Sequence, residues 1–265
     1  MSSIIPRAAT LLAAAILLTA CGADPAPNGA SSASDSSASN SSASASGSAA
    51  ATVWQLAPAQ LLIQGGYDGI LSVAEVQRHG DLGLAGADKL NGEMVLVDGQ
   101  FYQFLSSGQV VQPPSTMRLP FAAVTRWEGG RDVAVQPGLA YPAGMAALDP
   151  QVPDTNAFYA VRIEGTWDTL VVRTFREQTP PYPPLKVAQD SQVVQTLVNV
   201  RGTMVGFRQP PYTLPMTLPG YHLHFITDDH SRGGHVLSFT ARDVQMQVSP
   251  RPEFTVHMPP VPPAP

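Results

Sequence analysis

A single cysteine, Cys21, in 265 residues rules out an internal disulfide, so the fold has to rest on its core. Charge is scarce as well. Asp, Glu, Lys and Arg make up 13% of the chain, and 20 acidic against 15 basic side chains leave a net charge of −5. No basic stripe exists to neutralise phosphates, so no nucleic-acid partner is expected. The apolar run Ala8–Ala20 is shorter than the roughly 20 residues that a membrane-spanning helix needs. Proline and glycine, by contrast, are plentiful. The 26 prolines and 22 glycines favour short strands and turns over long helices.

The N-terminal stretch is not part of the fold. Arg7 precedes the apolar run, which ends Leu18-Thr19-Ala20-Cys21-Gly22. This resembles a bacterial lipoprotein signal, in which the cysteine becomes the lipidated first residue after cleavage. On that resemblance, residues 1–20 are a signal peptide and Cys21 carries a lipid; the alternative is an ordinary secretory signal with a chance cysteine, which would make the protein secreted. The mature protein would then be an extracytoplasmic lipoprotein that meets the membrane through this anchor only. Residues 21–51 continue as Ser, Ala, Gly and Asn with almost no apolar side chains, which describes a flexible tether. Residues 52–260 remain for the folded domain, and 261–265 form a Pro-rich tail.

Within the folded part, Leu61-Leu62-Ile63 before Gln64-Gly65-Gly66 reads as a helix end and turn. Ser72 and Glu75 have the spacing of a capping box, and Gly80 is expected to end that helix in the left-handed conformation. Asp98-Gly99 between Glu93–Val97 and Gln100–Leu105 signals a tight hairpin. Phe121–Trp127 is a further strand. Phe158–Ile163 and Trp167–Phe175 are expected to form a second hairpin across Glu164-Gly165. Strands near Val193–Val200, Thr203–Phe207, Tyr221–Thr227, Gly234–Thr240 and Val244–Val248 follow. The expected class is α+β: mixed, mostly antiparallel β-sheets in two closely packed subdomains with a few short helices.

Residues 221–236 read Y-H-L-H-F-I-T-D-D-H-S-R-G-G-H-V and hold four of the chain's six histidines. On a strand, His222 and His224 project from one face because side chains alternate. A hairpin centred between Asp229 and His230 sets His235 directly opposite His224, at a Cβ separation of about 4.5–5.5 Å, with His222 diagonal to it. Three imidazoles converging from two strands suit a small divalent cation such as zinc and leave positions open for water or substrate. His230 falls in the turn and reads as a polar loop residue. His79 and His257 receive no role.

Two other side chains stand out. Arg173 shares a strand face with Val171 and Phe175, where a guanidinium needs an anionic partner, either a protein carboxylate or a substrate carboxylate. Glu93 opens the first hairpin, where it could serve as acid or base. Read alone, it fits an exposed strand glutamate better.

The run Gly220–Asp229 with Gly233-Gly-His-Val-Leu237 resembles the metal-binding segment of the alpha-acetolactate decarboxylase family. So do Tyr67-Asp-Gly69, His79-Gly-Asp-Leu-Gly83, Leu90-Asn-Gly-Glu-Met-Val95, Pro120-Phe-Ala122, Pro181-Tyr-Pro-Pro-Leu185 and Arg201-Gly-Thr-Met-Val-Gly-Phe207. The resemblance implies zinc-dependent decarboxylation of 2-acetolactate, a 2-hydroxy-3-keto acid, to acetoin and carbon dioxide. It implies His222, His224 and His235 as zinc ligands, Glu93 as an active-site glutamate, Arg173 as the arginine facing substrate, and a homodimer. It breaks the tie over Arg173 in favour of function.

Two departures accompany the resemblance. Asn91 stands where the family commonly has aspartate, beside an unusual Gly-Ala-Asp-Lys stretch at 86–89. The family pattern also runs on past the proline-rich point where this sequence stops, into a tail that supplies a second glutamate, and Glu253 falls too early to replace it. A metal- or ligand-binding lipoprotein with impaired catalysis is therefore the alternative expectation, and an enzyme for a related 2-hydroxy-3-keto acid is a third.

Substituting the one cysteine tests the anchor. Cys21→Ser is expected to move the protein from the membrane fraction of a bacterial host to the soluble fraction and to abolish fatty-acid labelling. Unchanged membrane recovery would remove the lipoprotein reading.

Overall fold

A computed structural model describes residues 51–260. The expected signal peptide, Cys21, the tether up to residue 50 and the Pro-rich tail lie outside the described residues. The first half carries strands β1 (Thr52–Leu56), β2 (Leu71–Ser72), β3 (Leu82–Gly86), β4 (Glu93–Val97), β5 (Gln100–Phe104), β6 (Val110–Val111), β7 (Arg118–Leu119) and β8 (Phe121–Thr125). Short helices α1 (Ala59–Ile63) and α2 (Val73–Gln77) interrupt them. β9 (Arg131–Val133), β10 (Ala140–Tyr141), β11 (Phe158–Thr174), α3 (Leu185–Ala188), β12 (Val193–Gln209), β13 (Gly220–Thr227), β14 (Gly233–Arg251) and β15 (Glu253–His257) follow. Among the described residues no helix is long and apolar enough to cross a membrane.

The first sheet has seven strands in the order β15-β1-β8-β3-β4-β5-β6, antiparallel except for the β1–β15 pair. The second runs β10-β14-β11-β12-β13, with β9 on β14. Strand β13 also pairs with the first residues of β14, so this sheet closes on itself at one end. The fold is the expected α+β arrangement of mostly antiparallel sheets with a few short helices.

Several local expectations appear as drawn. Ser72 Oγ accepts from Glu75 N at 3.3 Å, and Ser72 N donates to Glu75 Oε2 at 2.8 Å, completing the capping box. Asp98 and Gly99 take φ of 49° and 77°, the two left-handed residues of a tight β4–β5 turn. Gly80 differs. It is not left-handed; it sits where an added Cβ would lie 2.5 Å from the Thr125 carbonyl oxygen, so close packing on β8 requires it.

The larger correction concerns strand length. Glu164-Gly165 is no turn, because β11 is continuous over 17 residues, pairing Gly165 with Gly202 on one side and Val244 on the other. The segments expected at Val193–Val200 and Thr203–Phe207 are likewise one strand, β12, and those at Gly234–Thr240 and Val244–Val248 are one strand, β14. Glycine within a strand marks a bend or close approach as well as a turn. At Gly165, φ is +144°, and a Cβ would meet Asp243 O at 2.1 Å.

One core fills the closed sheet around Trp167, Tyr159, Met204 and Phe225. A second lies between the sheets, joining Leu84, Val95 and Phe104 of the first to Ala160, Val205 and Phe207 of the second. Burying each large apolar side chain there contributes roughly 1.5–3 kcal/mol. A third core packs α2 against the outer face of the first sheet. The two sheets are also tied by Thr174 Oγ1, which accepts from Glu93 N at 3.1 Å and donates to the Phe104 carbonyl.

Gly165→Ala should lower stability by about 2–4 kcal/mol, from overpacking and the disfavoured φ together. Urea denaturation reads this directly; a midpoint equal to wild type would show that β11 and β14 are not in such close contact.

Candidate metal centre and active site

The turn between β13 and β14 sets the site. Asp229 Oδ1 accepts from Thr227 Oγ1 at 2.6 Å and from Ser231 N at 3.0 Å and Oγ at 2.7 Å, while His230 takes the left-handed conformation at φ 54°. Those hydroxyls hold the exposed Asp229 carboxyl down at about 2, so it accepts at any physiological pH. The turn puts His224 opposite His235 in register. Alternation leaves His222 on the same face, its ring centroid 5.4 Å from His224 and 5.0 Å from His235.

The ligand atoms of the three histidines all lie within 4.8 Å of one another. His224 Nδ1 is 2.7 Å from the Met94 carbonyl oxygen and must donate to it, which leaves the Nε2 lone pair inward, 3.2 Å from His235 Nδ1. Two nitrogens each about 2.0–2.1 Å from a tetrahedral ion stand roughly 3.3–3.4 Å apart. The donor set therefore fits a small divalent cation, with the Met94 carbonyl fixing one ligand's tautomer. Protonation state fits too. Burial, helped by the Arg173 charge, lowers His222 to about 4, and burial holds His224 and His235 well below their ordinary value. All three imidazoles are neutral, as ligands must be.

Glu93 and Arg173 reach this centre from other strands. Glu93 begins β4 of the first sheet, between Gly86 and Phe104, and Arg173 pairs with His235 near the end of β11. The exposed glutamate favoured by a reading of that residue alone is corrected: Glu93 is 6% exposed, because β4 packs under the closing edge of the second sheet. Its Oε2 is 3.7 Å from His224 Nε2, and its Oε1 is 3.7 Å from Arg173 Nε. Burial raises it to about 7, against the opposing pull of Arg173. A carboxyl poised there can hold or release a proton at neutral pH.

Arg173 stacks its guanidinium 4.8 Å from the Phe175 ring centroid and donates from Nη1 to Gln192 Oε1 at 3.4 Å. Its buried Nε makes no hydrogen bond, the Glu93 carboxyl standing 3.7 Å away, and the residue lines the cavity. Leu62, Ile63, Leu84, Phe121 and Leu185 supply apolar wall around these groups. His79 and His257 lie elsewhere, against Trp54, and His230 packs on Tyr102. Thr174, which holds the Glu93 backbone, gave no signal in the sequence; only the pairing of the two sheets reveals it.

A sequence profile described as alpha-acetolactate decarboxylase matches residues 53–262. The chain is 36% identical over 207 residues to the alpha-acetolactate decarboxylase of Methylococcus capsulatus, covering 78% of this chain and 80% of that one. It is 34% identical over 207 residues to that of Brevibacillus brevis, covering 78% and 73%. The crystal structure of alpha-acetolactate decarboxylase from Bacillus subtilis strain 168 superimposes with a TM-score of 0.77 at 30% identity, covering 80% of this chain and 90% of that chain.

The depressed histidines make the metal-free protein sensitive to acid. Unfolded histidine takes up a proton near pH 6.5, while folded His222 resists until about 4, so its contribution is lost as pH falls through that window. Glu93, raised by burial, acts oppositely between about 7 and its unfolded value, so the informative quantity is a difference. His222→Asn should flatten the fall of metal-free stability between pH 6.5 and 4 by about one proton, or roughly 1.4 kcal/mol per pH unit. Identical pH slopes in chemical denaturation would contradict a buried neutral His222.

Proposed function

The chain belongs to the alpha-acetolactate decarboxylase family, and on that premise we propose that it converts 2-acetolactate to acetoin and carbon dioxide with zinc held by His222, His224 and His235. The observation that carries this reading is the meeting of Glu93 and Arg173 with the histidine cluster at one largely apolar cavity. A protein that only carried zinc would have no use for a buried guanidinium and carboxyl beside the metal ligands, held too far apart to hydrogen-bond. Zinc, if held by these three histidines, would supply a Lewis acid at this cavity.

Arg173 Nε, buried and without a hydrogen bond, would donate to the substrate carboxylate. The apolar walls exclude water, which disfavours the carboxylate and favours its loss as neutral carbon dioxide. When the bond from the carboxyl carbon to C2 breaks, its electron pair stays on the C2–C3 unit and is drawn toward the ketone oxygen. Glu93, whose carboxyl burial raises to about 7 so that it can carry a proton near neutral pH, would then deliver that proton to C2. Approach from one side makes the acetoin chiral. Glu93 regains a proton from solvent before the next turnover. An extracytoplasmic location through a lipid on Cys21 and a homodimeric state belong to the same proposal, supported by resemblance of the signal and of the family.

Glu93→Gln keeps the size of the side chain but removes the proton donor. With zinc content unchanged, acetoin formation is expected to fall by about 10²–10⁴-fold, the usual contribution of a general acid. Near-normal turnover in this variant would sink the assignment of Glu93, while zinc binding without turnover in the wild type would favour the impaired binding protein.

A further inference from the structure

We propose that Gln209 is a substrate-binding and specificity residue, its carboxamide oxygen accepting a hydrogen bond from the 2-hydroxyl of the acid bound beside the three histidines. The proposal rests on the decarboxylase reading for the identity of that acid. Its geometry follows from sheet register. On the β12–β13 ladder, Val205 pairs with His224, Phe207 with His222 and Gln209 with Gly220. Opposed residues share a face, so Gln209 lies on the histidine face, one diagonal step from His222. Gly220 carries no side chain to screen one from the other, and its position is open, with nothing within 4 Å of where a Cβ would stand.

Gln209 lines the same cavity as the histidines, is 5% exposed, and has a buried Oε1 without a hydrogen-bond partner. The Thr217 hydroxyl, whose residue lines the same cavity, cannot satisfy it. Thr213 Oγ1 donates to Pro210 O at 2.8 Å, so the proton of Thr217 Oγ1, 2.6 Å away, goes to Thr213. A buried acceptor left unpaired is uncommon and invites a ligand that brings a donor.

The chemistry of that ligand can be read from the two orphaned groups together. Arg173 Nε makes no hydrogen bond, its contact to Glu93 Oε1 being 3.7 Å, and Gln209 Oε1 is an unpaired acceptor; both residues line this cavity. A molecule matching them offers an anionic acceptor to the first and a hydrogen-bond donor to the second, and a 2-hydroxy acid carries both. In 2-acetolactate at neutral pH, the carboxylate and ketone only accept, and the tertiary 2-hydroxyl is the sole donor. Gln209 therefore selects for the hydroxyl, and so for a 2-hydroxy-3-keto acid over a plain 3-keto acid.

Two unreactive acids test this without turnover. 2-Hydroxy-2-methylpropanoate and 2,2-dimethylpropanoate differ by a hydroxyl in place of a methyl. Their binding to the zinc-loaded full chain can be measured by calorimetry for wild type, Gln209→Met and Gln209→Asn. Any preference that arises at the metal is common to all three proteins and cancels in the ratio. Wild type is expected to prefer the hydroxy acid, and Gln209→Met to lose about tenfold of that preference, the size of one hydrogen bond to a buried group. Gln209→Asn, which keeps an amide but withdraws it by one methylene, should lose preference in the same direction and decides the matter if the Met variant misfolds. An unchanged ratio in the folded variants, or no preference in the wild type, overturns the proposal. Wild type that makes no acetoin from 2-acetolactate, while the ratio still drops in the variants, would overturn the decarboxylase reading and leave Gln209 its role.

Discussion

Strand β13 hydrogen-bonds on both sides, to β12 along its length and to the first residues of β14, and this closure organises the protein. With both edges engaged, β13 cannot slip by one residue without turning His222 and His224 to the opposite face. The turn at Asp229–His230 enforces the same register locally, through the three hydrogen bonds that Asp229 Oδ1 accepts. The histidine face then looks onto the first sheet, where the Met94 carbonyl meets His224. The histidine cluster thus sits where two sheets press together, with Glu93 and the Met94 carbonyl coming from the first sheet.

Such a location imposes costs that reveal its purpose. Three imidazoles are held neutral by burial, a glutamate is raised to about 7, and a guanidinium keeps an Nε without a hydrogen bond. Glu93 and Arg173 stand 3.7 Å apart, beyond hydrogen-bonding distance, so their pairing compensates only part of the desolvation of each. A sheet interface built for stability alone would fill this space with apolar side chains, as it does around Val205 and Phe207. The polar groups are kept where a small anionic molecule and a cation would complete their interactions.

The backbone support of the site is as specific as its side chains. Thr174 closes the sequence of β11 and binds both Glu93 N and the Phe104 carbonyl, so the acid and the arginine one residue earlier are held by a shared contact. Gly234, at φ +148°, lets β14 begin against β11, where a Cβ would come within 2.5 Å of Arg173 O. Arg173 and His235 are neighbours because of that approach.

Much of the site was legible in the chain because it is local. The alternation of His222 and His224, the turn residues and the eleven-residue step to His235 lie within one hairpin, whose geometry needs no distant partner. The Ser72 capping box and the Asp98-Gly99 turn were readable for the same reason. Strand lengths were not, because Gly165 and Gly202 look like turn residues until each is seen packed on a neighbouring strand. Nor could the burial of Glu93 be read, since it depends on Thr174, 81 residues away, and on a second sheet whose His224 binds a carbonyl 130 residues distant. Gln209 acquires meaning only from facing Gly220 across a ladder. Sequence by itself determined the histidine cluster, because short-range backbone periodicity positions it; tertiary structure decided what surrounds that cluster, because burial and electrostatics arise only when remote strands meet.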